Sequence, residues 1–258
     1  MTRARAYKDG DCTSRYRRRW LAIAAMALAL LMPAFLLSPV FSGSDEFLKL
    51  WWGLSLSASK YGLIWTALGF SLLLETSGRQ LFRLLLPLLL IIGLGAWINE
   101  HLIKPAVAQP RPNIMFLASA AAGPAIPEGA AAFYRLPDKA SRSQRLEEIW
   151  SQDSLQLPVL LRDHWTEETG FSFPSGHAFA ATALAAWLSL WILCAGRRLW
   201  LLVLVWGWML GVCYSRIQLG VHRPEDILVG ALEGLLLVML LRLLFDHWLR
   251  RRMKQAIP

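Results

Sequence analysis

The stretch FSFPSGHAFAATALAAWL, residues 171–188, runs from a polar turn straight into an apolar helix. Its polar part, Pro174-Ser175-Gly176-His177, sits at the mouth of a run that stays uncharged from residue 178 to 195. A run of roughly 18 or more apolar residues is long enough to cross a bilayer as a helix. Other runs of this kind recur along the 258 residues, which are 55% hydrophobic and carry 13 Trp. Such a composition excludes an ordinary soluble domain and predicts an all-α integral membrane protein. Taken alone, Pro174 and Gly176 could be no more than helix-start punctuation. The reading depends on what the other runs place beside them.

Six spans are predicted, over about 21–41, 55–74, 84–103, 177–195, 200–216 and 226–245. The first begins after Arg17-Arg18-Arg19, as a signal peptide would. Its length and the lack of a small-residue cleavage motif favour an uncleaved span. Trp20, Trp51, Trp52, Trp97, Trp200 and Trp248 fall near span ends, as an aromatic belt requires. Lys60 lies in the second span near its outer end, where it can snorkel.

Net charge is +9, which raises the question of nucleic acid. The distribution excludes it. Of 27 Lys and Arg, 16 lie in four short segments, 3–19, 79–83, 197–198 and 242–254, that alternate with the apolar runs. That is the positive-inside pattern of a multi-span protein. With both termini inside, all four basic segments face inward. The connection 104–173 and the short turn between the last two spans then face outward. The whole chain, 1–258, is read as one membrane domain with 104–173 as an insertion in it. Within that insertion, 139–150 has helical spacing of Leu146, Ile149 and Trp150 and is expected to form a surface helix. The three cysteines show neither disulfide nor metal-knuckle spacing.

Three polar clusters are brought to the outer face by this topology. They are Lys104-x6-Arg111-Pro112, Pro174-Ser175-Gly176-His177, and Ser215-Arg216-x5-His222-x3-Asp226. Singly, Lys104 and Arg216 read as interfacial anchors and His222 as a helix cap. Together, Lys104, Arg111 and Arg216 would repel one another unless an anion sat between them. Arg offers a planar fork to phosphate oxygens and Lys a point charge. Gly176 allows close backbone approach, Ser175 adds a hydroxyl, and a helix N-terminus aims its free N–H groups at the ligand. His222 and Asp226 are four apart, so the carboxylate can hold Nδ1–H and leave Nε2 as a nucleophile. His177, if protonated, can donate to a departing oxygen. A metal on His177, His222 and Asp226 is the rival reading, and the three nearby cations oppose it. Glu233, mid-span in the last helix, reads as a buried hydrogen-bonded acid rather than a catalytic one.

These motifs resemble the three-part signature of the type 2 phosphatidic acid phosphatase superfamily, and all three match without gaps. The resemblance implies a six-helix core and metal-independent phosphoryl transfer, with no cofactor. It gives His222 the role of nucleophile, Asp226 that of its orienter and His177 that of general acid. Lys104, Arg111, Ser175, Gly176 and Arg216 would bind phosphate. The segment from Leu161 to His177 and the outer loop before it are similar to a bacterial phosphatidylglycerophosphatase group within that superfamily. Arg223 departs from it, standing where an aromatic residue is expected. The implied substrates are membrane lipids: phosphatidylglycerophosphate, with undecaprenyl diphosphate and phosphatidate as further or main ones. The implied location is a bacterial inner membrane, with termini cytoplasmic and the site periplasmic. The partners expected are the lipid and the bilayer, not nucleic acid or an obligate protein. A different class stays open: a lipid-phosphate binder or transporter that uses the cations without hydrolysis. Such a binder has no use for an oriented His222–Asp226 pair.

Overall fold

In a computed structural model, the structure describes residues 12–37, 45–75, 78–119, 125–152, 155, 157–196 and 198–255. Those residues form helices and turns, with no strand among them. Four helical stretches are long and apolar enough to cross a membrane: Tyr16–Leu36, Leu85–Leu117, Gly176–Cys194 and Leu201–Gln218.

The first stretch is α1 (Cys12–Ala29), followed by a 3-10 turn (Met32–Leu36) that carries Pro33 in its first turn. The expected end of this span, 38–41, lies outside the described residues. The expected second span is divided. α2 (Asp45–Ser57) and α3 (Gly62–Leu73) are separate helices with a turn between them. The break has a local cause. Ser57 Oγ donates to Leu54 O at 2.6 Å, and Ser59 Oγ accepts from Gly62 N at 3.3 Å. These side chains compete with the helix ladder. Gly62 packs so tightly that an added Cβ would lie 1.9 Å from Leu56 O. Of the two, α3, 12 residues long, carries no charge.

α4 (Gly78–Ile98) runs into a π-helical turn (Asn99–Ile103) and the short α5 (Lys104–Val107). α6 (Pro112–Leu117), α7 (Ala130–Phe133), α8 (Lys139–Ser151) and α9 (Val159–Glu167) follow. The surface helix expected over 139–150 is therefore present. α10 (Gly176–Ala195), α11 (Leu201–Gln218) and α12 (Pro224–Gln255) complete the chain.

α10 is the axis of the bundle, packing against α1, α4, α11 and α12. Trp20 Nε1 donates to Ala186 O at 2.9 Å, which ties α1 to α10. Tyr214 OH donates to Leu30 O at 2.7 Å, which ties α11 to the end of α1. α12 approaches α10 most closely at two glycines. A Cβ on Gly230 would lie 2.4 Å from Ser175 O, and one on Gly234 would lie 2.4 Å from Phe179 O. Small residues let helix backbones meet in this way in membranes. The mid-span acid Glu233 accepts from Asn99 Nδ2 at 3.0 Å, so it is hydrogen-bonded to the π-turn.

A second apolar core lies at one end of the bundle. Ile114, Leu117, Ile126, Phe133, Leu146 and Trp165 enclose it, together with Leu219 and Val221 from the turn between α11 and α12. Trp165 Nε1 donates to Leu219 O at 2.9 Å. The connection between α5 and α10 thus grips the turn that carries His222.

Candidate active site

The site is assembled from helix ends. Arg111 precedes α6, Arg216 is in the last turn of α11, His222 is in the turn after it, and Asp226 is in the first turn of α12. Arg111 and Arg216 are 2% and 0% exposed, so each guanidinium requires partners from the protein.

Those partners are present. Arg111 Nε donates to Gly170 O at 2.9 Å, and one terminal nitrogen donates to Val221 O at 3.2 Å. The same nitrogen lies 3.4 Å from His222 Nε2. A guanidinium has no lone pair to offer, so Nε2 faces it as an acceptor. On the other side of the ring, Nδ1 lies 3.4 Å from Asp226 Oδ2. The two contacts assign one tautomer, with Nδ1–H directed at the carboxylate and Nε2 carrying the lone pair. Burial, with the charges of Arg111 and Arg216, holds the His222 imidazolium well below the usual histidine range. A neutral ring with an unprotonated Nε2 is the nucleophilic form. Asp226 Oδ2 also accepts from Arg223 N at 2.9 Å, which fixes the carboxylate.

Ser175 and Gly176 open α10 beside this pair. Ser175 N donates to Asp226 O at 3.0 Å. Ser175 Oγ accepts from Ala178 N at 3.4 Å as the helix cap, which leaves the hydroxyl hydrogen to donate elsewhere. The space beside Gly176 is open, with nothing within 4 Å of an added Cβ. His177 stands in the first turn of α10. Lys104 is set one step away. Its Nζ is 2.7 Å from Glu100 Oε2, the carboxylate with which it is paired.

Sequence reasoning missed Glu168. Its carboxylate bridges the two arginines, with Oε2 2.8 Å from Arg111 and Oε1 paired with Arg216. Burial raises this carboxyl, but the charges of Arg111 and Arg216 outweigh burial and hold it well below the usual carboxylate range. An anion therefore fits between these cations. His164 was missed as well. Its Nε2 lies 3.3 Å from Arg216, and burial with that charge depresses its pKa to about 4. Ser55 of α2 also accepts from Arg216, whose buried Nε finds no partner among the described residues. The Glu167-Glu168 pair lies inside the polar segment that ends at His177, and its position there is the one signal that could have pointed to it.

The sequence profile of the PAP2 superfamily matches residues 84–250, a stretch that contains every residue of this cluster except Ser55. The chain belongs to the PAP2 superfamily. Curated relatives are similar over part of the chain. Phosphatidylglycerophosphatase B of Escherichia coli (strain K12) is 34% identical over 146 residues, 57% of this chain and 52% of that protein. Phosphatidylglycerophosphatase B of Haemophilus influenzae is 36% identical over 133 residues, 50% of this chain and 52% of that protein. Lipid A 4'-phosphatase of Bacteroides thetaiotaomicron is 38% identical over 65 residues, 25% of this chain and 27% of that protein. The chain spans about half the length of the curated relatives it matches.

Proposed function

We propose that this PAP2 protein is a membrane lipid phosphatase that hydrolyses phosphatidylglycerophosphate to phosphatidylglycerol and phosphate. Undecaprenyl diphosphate and phosphatidate are proposed as further substrates, with undecaprenyl diphosphate as the rival for the main role. The observation that carries the reading is the held tautomer of His222, between Arg111 at Nε2 and Asp226 at Nδ1. A non-hydrolytic binder needs the arginines but no such orientation. The match to phosphatidylglycerophosphatase B supports the choice of lipid.

In the proposed reaction the phosphoryl group takes the place of the Glu168 carboxylate between Arg111 and Arg216. Lys104, Ser175 and the N–H groups at Gly176 add to its binding. His222 Nε2 attacks phosphorus and the bond to the lipid oxygen breaks. His177 delivers a proton to that oxygen. Water then attacks the phosphohistidine, giving a proton back to His177 as the P–N bond breaks, and phosphate leaves with both histidines restored. Asp226 keeps the ring in register and stabilises the positive charge that develops on it. Arg111 and Arg216 in the cradle, with Lys104 one step away, oppose a divalent metal, so the reaction is proposed to be metal-independent.

The proposed setting is a bacterial inner membrane crossed six times, with both termini cytoplasmic, the site periplasmic and 104–173 an insertion that caps it. Phosphate release is to be measured in detergent with EDTA on phosphatidylglycerophosphate and undecaprenyl diphosphate side by side. His222→Ala is expected to abolish release by about 10³-fold or more while the lipid still binds. Release that survives His222→Ala would remove the mechanism, and release lost to EDTA would restore the metal reading. Tight binding of both lipids without release from either would favour the binder.

A further inference from the structure

A cavity of about 270 Å³ opens beside the site, between the π-turn and the start of α8. Glu100, Lys104, Lys139, Arg142, Gly170 and Phe171 line it. Its charge arrangement repeats that of the reactive cradle. There, Glu168 bridges Arg111 and Arg216. Here, Glu100 bridges Lys104, at 2.7 Å, and Lys139. In each case a carboxylate lies where two cations converge, so an anion fits at both places.

The two places are joined by Gly170. Its carbonyl accepts from Arg111 Nε at 2.9 Å. Its Cα lies under the Lys139 side chain, so that an added Cβ would come within 2.9 Å of Lys139 Cε and 3.6 Å of Glu100 Oε1. A third cation faces the cavity. The Arg142 guanidinium lies 5.2 Å from the Tyr134 ring centroid and 5.5 Å from that of Phe171. Its terminal nitrogens donate to the carbonyls of Tyr134, Leu136 and Thr169. Its buried Nε finds no partner among the described residues. The other acid on the wall, Asp138, is occupied by Ser141 N at 2.8 Å. The cavity therefore carries three cations against two acids, one of them already spent as a helix cap.

We propose that this cavity is a second anion subsite, which takes the non-reacting phosphate of a lipid headgroup that carries two. The second phosphate displaces the Glu100 carboxylate from Lys139, shares Lys104 with the reacting phosphate and is attracted by the nearby charge of Arg142. A lipid with a single phosphate leaves the subsite to Glu100. The subsite thus selects phosphodiester-bearing or diphosphate lipids over monophosphate ones, and Lys139 is the specificity residue that loop helix α8 contributes. The proposal rests on the phosphatase reading above only for its kinetic test.

Binding of inorganic pyrophosphate and of inorganic phosphate to the full chain in detergent is the first arm, read by calorimetry. Wild type is expected to prefer pyrophosphate by about tenfold, the scale of one charge-assisted contact. Lys139→Ala, a change at an exposed side chain, is expected to erase most of that preference. Glu100→Gln is expected to enlarge it, because the competing carboxylate loses its charge. The same preference in wild type and Lys139→Ala would overturn the subsite. The second arm compares kcat/KM for phosphatidylglycerophosphate with that for phosphatidate, and the ratio is expected to fall about tenfold in Lys139→Ala. An unchanged ratio would likewise overturn it. If wild type hydrolyses neither lipid, the phosphatase reading fails, and the pyrophosphate preference still decides the subsite.

Discussion

Glu168 shows how the cradle is held together. Two buried guanidiniums beside one imidazole would push apart, and the Glu168 carboxylate is the counter-charge that both share. Breaking a buried ion pair from one side costs about 3 kcal/mol or more, because the partner charges are left uncompensated. Glu168→Gln is therefore expected to lower the melting temperature in phosphate-free detergent. Added phosphate should recover more of that loss in the variant than it adds to wild type, since phosphate supplies the missing anion. Equal melting curves, with equal response to phosphate, would show that Glu168 does not bear the charge. The contrast with the sequence is instructive at this scale. Lys104, Arg111, Ser175, Gly176, His177, Arg216, His222 and Asp226 stand at fixed spacings within short motifs, and those spacings were legible. Glu168 meets Arg216 across 48 residues, and Lys139 meets Glu100 across 39. No helical or turn period connects such pairs, so only the folded chain reveals them.

Elements, rather than single side chains, set the distance between the two halves of the site. Asp226 and Ser175 meet because α12 and α10 touch backbone to backbone at Gly230 and Gly234. Gly230→Ala would place a methyl 2.4 Å from Ser175 O, and backbone cannot yield as a flexible side chain does. Overpacking of this kind costs about 1–3 kcal/mol and shifts the helices. The expected result is lower thermal stability together with a lower kcat, because the Asp226 end of α12 moves away from α10. Gly207→Ala in α11 is the matched comparison, with nothing within 4 Å of the added Cβ. It is expected to be neutral or to stabilise by about 0.5–1 kcal/mol. Equal behaviour of the two variants would rule out the close contact as the positioning device. Hydropathy located the apolar stretches at this scale but not their breaks. A window average treats 55–74 as one run, whereas Ser57, Ser59 and the tight packing of Gly62 end one helix and begin another.

At the scale of the whole molecule, the turn that carries His222 belongs to two cores at once. α11 and α12 anchor residues 219–223 to the bundle from below. Leu219 and Val221 are buried in the second core, which is built by the segment between α5 and α10. That segment is more than a cover. It supplies Glu168 and His164 to the cradle, and its Trp165 holds Leu219 O. The two layers should therefore fail together at the seam. Trp165→Phe retains a large aromatic ring against Phe116 and Trp150 but leaves Leu219 O unpaired. A buried acceptor left without its donor costs about 1–3 kcal/mol. The released turn carries His222 three residues later, so kcat should fall more than KM rises, and backbone amide exchange over 219–223 should accelerate. Exchange confined to 161–167, with kcat intact, would mean that the bundle alone fixes the turn and that the outer layer serves only to cover it.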